Sequence, residues 1–119
     1  MRATFKMENE YITMIRGDTL SFGVIVNDEN GNPIDFDLDS VKMTCQNLNI
    51  NNNNIVFQKT LGDGITKKSQ GTYVIRVAPQ DTKNEELGKY FYDIQIEKNG
   101  DVFTIMHGIL ELQYEVTRG

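Results

Sequence analysis

The chain is poor in the residues from which reactive sites are usually built. Among its 119 residues there is one cysteine, one histidine and no tryptophan. A lone thiol, Cys45, excludes an internal disulfide and fits a chain that folds in a reducing cytosol. A lone imidazole, His107, leaves no spaced Cys/His set for a zinc site. Lys and Arg number 12 against 17 Asp and Glu, a net charge of −5. With no basic excess to neutralise phosphates, nucleic acid is not an expected partner. No apolar run approaches the ~18 residues of a membrane helix. The opening stretch MRATFKMENE has no apolar h-region, so cytoplasmic synthesis and no membrane partner are expected. Neither a Gly-x-Ser-x-Gly elbow nor a phosphate loop occurs. From these absences no catalytic residue, no cofactor and no enzymatic activity is expected, because active sites need several convergent polar groups.

What the chain does have is alternation. From Asp18 to Asn27 one face reads Leu20, Phe22, Val24, Val26 and the other Thr19, Ser21, Gly23, Ile25. Such period-2 patterning marks half-buried strands. Asp28 to Pro33 supplies turn chemistry. Val41, Met43 and Cys45 form a second inward set, with a bulge or strand end expected near Gln46 and Asn47. Asn51 to Asn54 reads as a polar loop tip. Ile55 and Phe57 resume a strand that Gly62-Asp63-Gly64 ends, and Tyr73, Ile75 and Val77 form another, stopped at Pro79. Only Gln80 to Leu87 reads as helical, one turn linking two strands, with Thr82 and Glu85 at capping-box spacing.

The C-terminal third carries the strongest local signal. Tyr90, Tyr92, Ile94 and Ile96 alternate with polar residues and lead into Asn99-Gly100, a hairpin dipeptide. A two-residue loop there pairs Lys98 with Asp101, Ile96 with Phe103, Ile94 with Ile105 and Tyr92 with His107. Beyond Gly108 the apolar parity shifts to Leu110, Leu112, Tyr114 and Val116, so one long final strand kinked at that glycine, or two strands that serve different sheets, is expected. The pattern predicts one all-β domain over residues 1–119, a two-sheet antiparallel β-sandwich of seven to eight strands. Leu87-Gly88-Lys89-Tyr90-x-Tyr92 after a helical turn resembles the corner before strand F of immunoglobulin-like domains, so an immunoglobulin-like antiparallel β-sandwich is expected. Residues 1–9 read as a flexible or pairing N-terminal arm.

Several groups have a functional and a structural reading. Arg16-Gly17-Asp18 spells an integrin-binding tripeptide, but it also reads as a tight turn. The carboxylates between Asp28 and Asp39 are numerous enough to suggest Ca²⁺. Their alternation in Asp35-Phe36-Asp37-Leu38-Asp39 instead predicts a solvated rim, and no metal site is assigned. Cys45 and His107 would be a nucleophile and base only if they met. Phe91, an apolar ring flanked by Lys89 and Asp93 on an outward face, is the one residue singled out as a partner contact. The same ring admits a second reading, a glycan-binding or adhesion module.

Met14-Ile15-Arg16-Gly17-Asp18-Thr19-Leu20-Ser21-Phe22, Val26-x-Asp28-x-x-Gly31-x-Pro33-Ile34-Asp35, Gly71-Thr72-Tyr73 and Leu87-x-x-Tyr90-x-Tyr92-Asp93-Ile94 together carry a family likeness. The chain resembles, over about residues 12–116, the immunoglobulin-like N-terminal domain of phage baseplate upper proteins and related prophage structural proteins. That resemblance implies a virion protein synthesised in the bacterial cytoplasm, whose partners are other phage virion proteins and which is free to form a homo-oligomer. It brings no catalytic residues. Family members often continue into a fibre or receptor-binding region, and no such role is carried over to the sequence ending at Gly119.

Overall fold

A computed structural model describes residues 8–47 and 54–117. The elements are β1 (Glu8–Asn9), β2 (Ile12–Ile15), β3 (Leu20–Ile25), β4 (Ser40–Asn47), β5 (Ile55–Leu61), β6 (Gly64–Ser69), β7 (Thr72–Val77), the single turn of helix α1 (Pro79–Thr82), β8 (Gly88–Lys98) and β9 (Asp101–Gln113). The chain is all-β, as expected. Its strands form one mixed sheet in the order β1-β9-β8-β4-β5-β6-β7-β3, with β2 also on β9. The sheet coils until it is nearly closed into a barrel. Grooves of about 270 and 230 Å³ mark the unclosed seam, where Ile12 and Thr13 of β2 face Leu20 and Phe22 of β3.

An all-antiparallel sheet is corrected by three parallel contacts. β1 and β2 run parallel to β9, and β5 meets β6 in parallel over Thr60↔Gly64 and Leu61↔Ile65. Alternation along a strand reports which face is buried, and says nothing of the direction of the neighbour. Only antiparallel partners that follow one another, such as β8 and β9, announce themselves through a tight turn, whereas β2 and β9 lie at opposite ends of the chain. β6 itself went unread because Ile65 is its only buried residue, so GITKKS shows no alternation.

The inward sets fill the interior much as the alternation predicts. Val41, Met43 and Cys45 of β4 are fully buried, beside Tyr90, Tyr92, Ile94 and Ile96 of β8. Val24 and Val26 are buried as well, while Leu20 and Phe22 are only half-buried because they border the seam. The expected irregularity at the end of β4 is present as a register shift between Cys45 and Gln46. Most of the predicted loop tip, Asn51 to Asn53, lies outside the described residues, as do residues 1–7 of the predicted arm. Glu8 and Asn9 pair with Met106 and His107.

The β8–β9 hairpin turns at Asn99 (φ 54°) and Gly100 (φ 85°), the positive-φ pair that a two-residue turn of this kind requires. Lys98 faces Asp101 and Ile96 faces Phe103, as expected. The register then shifts between Ile94 and Gln95, and Ile105 becomes an extra residue on β9. Ile94 therefore faces Met106, Tyr92 faces Gly108, and His107 stands opposite Asp93 instead of Tyr92. The bulge lets Ile105 and Met106, consecutive in sequence, both contribute to the core. The change of phase expected at Gly108 thus happens two residues before it. β9 ends at Gln113, which leaves Tyr114 and Val116 exposed rather than inward.

The helical stretch is one turn linking two strands, as expected, though it starts at Pro79 and is capped by Asp81 rather than by Thr82 and Glu85. Asp81 accepts a hydrogen bond from the Ala78 N–H at 2.7 Å. Thr82, fully buried, accepts one from the Gly17 N–H at 2.9 Å, so its hydroxyl anchors the β2–β3 turn.

Candidate binding groove

The alternation that buries Tyr90, Tyr92 and Ile94 turns Phe91 and Asp93 to the opposite face of β8. Register carries that face across the neighbouring strands. Phe91 stands between Gln46 of β4 and Ile109 of β9, and Asp93 between Thr44 and His107. Asn9 of β1 continues the second row beyond His107. Together these residues line a groove of about 430 Å³, the size range of small-ligand sites. Phe91 is 45% exposed within it. The ring is left half in water, with Ile109 as its apolar neighbour and polar side chains on the other positions of the face.

The polar groups around the ring are open. The Thr44 hydroxyl accepts a hydrogen bond from the Gln58 amide at 2.9 Å. The side chains of Asn9, Gln46, Asp93 and His107 make no hydrogen bond among the described residues. Burial pushes the Asp93 carboxyl above its ordinary range, and the facing His107 partly offsets that rise. Chemically the row reads Thr44–Asp93–His107, with the carboxylate in the middle. A hydroxyl nucleophile needs the imidazole as its immediate neighbour and the carboxylate behind it. The order found here suits binding.

Neither a protein-family model nor a curated protein matches the chain.

The other groups singled out in the sequence are kept apart. Cys45 lies on the inner face opposite Tyr92, whereas His107 lines the outer groove, so the two do not form a pair. Arg16 is engaged: Nε and Nη2 donate to the Glu115 carboxylate at 3.0 and 2.7 Å, and Nη1 to the Glu85 carbonyl at 3.0 Å. Gly17 turns with φ 82°, and the Asp18 N–H donates to the Ile15 carbonyl. The tripeptide is a tight turn whose arginine is held against the protein. In the acidic stretch, Phe36 and Leu38 point inward while Asp35, Asp37 and Asp39 are exposed, as the alternation predicts. Asp28 accepts from the Asn30 and Asn32 N–H groups, Asp37 pairs with Lys67, and Asp39 accepts from the Asn99 N–H. Asp28, Asp37 and Asp39 each have a separate local role, and among the described residues no three His, Cys, Asp or Glu side chains gather as metal ligands.

Phe91 was legible as an outward ring. Its polar neighbours were not, because Asn9, Thr44 and Gln46 join it only through strand order and register. The outward parity of β8 was the one local signal pointing to this face.

Burial pushes the Cys45 thiol up to about 12, with the nearby Glu85 adding to the rise, and the Tyr92 hydroxyl also to about 12. Both groups start from lower ordinary values, 9.0 and 10.0, so folding favours their neutral forms. Their contribution to stability is whole below pH 9.0 and is lost as pH rises towards about 12. Urea midpoints are expected to fall across that interval. At pH 8 a thiol reagent should label Cys45 only at the rate of global unfolding, and fast labelling of the folded protein would contradict the buried placement.

Proposed function

We propose that the chain is an assembly module of the phage tail or baseplate type, built on an immunoglobulin-like sandwich. The sheet path supports the sandwich reading. Divided at the two-pair β5–β6 contact, it separates into β5-β4-β8-β9 and β6-β7-β3. Those orders match the C′-C-F-G and D-E-B strands of a variable-type immunoglobulin domain. The corner before β8 supports it too: the Tyr90 hydroxyl donates to the Glu86 carbonyl at 2.6 Å, the upstream backbone bond of a tyrosine corner. That bond fits the likeness of Leu87-Gly88-Lys89-Tyr90 to the corner before strand F.

The observation that carries the assembly role is the open seam. β2 and β3 follow one another in sequence yet share no ladder, so among the described residues each has an unpaired edge beside half-buried Ile12, Leu20, Phe22 and Met106. Unpaired edges flanked by apolar side chains are where a strand of another chain adds. Other virion proteins, or a second copy of this chain, are the partners proposed for that seam.

Mass spectrometry of gradient-purified phage particles, released by inducing the strain that encodes the chain, tests the role. The chain is expected in the particles at a fixed ratio to tail proteins. Particles that lack it would exclude the assignment.

A further inference from the structure

The groove on the outer face of β4, β8 and β9 has a chemistry that the assembly role does not use, and Phe91, Thr44, Gln46 and Asp93 are not among the residues lining the seam. We propose that it is a binding site for an uncharged saccharide, which stacks on Phe91 and hydrogen-bonds to Asn9, Thr44, Gln46, Asp93 and His107.

Backbone recognition is excluded by location. The floor of the groove is the middle of a ladder, where β8 is hydrogen-bonded to β4 on one side and β9 on the other. A peptide strand finds no free N–H or C=O row there, so a ligand must be held by side chains. Those side chains are the exposed Phe91 ring with Ile109 beside it, and five groups that donate or accept hydrogen bonds. Four of the five make no hydrogen bond among the described residues, and no lysine or arginine lines the groove. Anionic ligands such as phosphate or carboxylate therefore lack a counter-charge. A wholly apolar ligand would leave the open amides, carboxylate and imidazole without partners, which costs free energy. A ring sugar meets both demands, with an apolar C–H face for the phenyl ring and hydroxyls around its rim.

The groove's volume of about 430 Å³ accommodates one or two sugar rings, and its position on rigid strands fixes the polar groups in advance. Because the site opens widely to water, affinity is modest, with a Kd of about 1 mM for a single ring.

The test is a titration of the ¹⁵N-labelled chain with glucose, galactose, rhamnose and N-acetylglucosamine, and with inorganic phosphate as the charged control, each taken to about 100 mM. At least one sugar is expected to shift the amides of Phe91, Asp93 and His107 in a saturable way, with phosphate leaving them in place. Phe91→Ala, on the solvent face, should keep the dispersed folded spectrum and weaken binding at least about 10-fold. Phe91→Tyr, which keeps the ring, should restore it. Absence of saturable shifts with all four sugars overturns the proposal. So does an equal response to phosphate, or binding that survives in Phe91→Ala.

Discussion

Gly108→Ala is expected to destabilise the fold by about 3 kcal/mol, far more than a change of one methyl group on a strand usually does. A Cβ at this position would lie 2.0 Å from the Glu10 carbonyl oxygen and 3.0 Å from its carbon. Both are backbone atoms and cannot swing aside as the end of a side chain could. The Glu10 carbonyl is held in place from the other direction by the Tyr92 hydroxyl, which donates to it at 2.7 Å, and the Glu10 N–H donates to the His107 backbone carbonyl. Alanine must therefore push β1 and the start of β2 away from β9 and release the tyrosine bond. Gly108 is needed for space and not for a left-handed backbone. A thermal melt should show a loss of about 10 °C. Loss of the bond alone, in Tyr92→Phe, is expected to cost only about 1 kcal/mol. An alanine variant as stable as the parent would mean that Glu10 does not cross Gly108 at this distance.

Ile94→Ala is expected to cost about 2–5 kcal/mol, a large part of the total stability of a domain of this size. Ile94 is fully buried at the centre of the sheet, with Met43 opposite it on β4 and Met106 on β9. The register shift lies immediately beyond it, so the strands around the vacated space are locked by the bulge and relax little. The matching control is Phe91→Ala, three positions away on the other face, which should cost less than about 1 kcal/mol despite removing a larger side chain. Urea denaturation at constant slope reads both values. Equal losses for the two variants would place Ile94 outside the core.

Which parts of this architecture could be read from the sequence follows from how far each signal reaches. The faces of β4 and β8 were legible because their side chains alternate for several consecutive residues. The Asn99-Gly100 turn was legible because it is chemically specific and its partners are adjacent. Counting outward from that turn worked only as far as Ile96 and Phe103, since a bulge has no fixed residue signature and Ile105 is as apolar as its neighbours. The joining of β2 to β9 had no local trace at all. The groove shows the same division: Phe91 stood out by itself, whereas Asn9, Thr44 and His107 reach it from three other strands.

The parallel joining of β2 to β9 has a mechanical consequence. Ile12 to Ile15 lie alongside Leu110 to Gln113 with the same direction, and Arg16 grips Glu115 just past the end of the ladder. A pull on the two ends of the chain drags these strands past one another along their own axes. Every bond of the ladder, and the ion pair beyond it, then bears load at the same moment, whereas an antiparallel pair pulled from one end would unzip bond by bond. β2 and β9 act as a clamp against stretching.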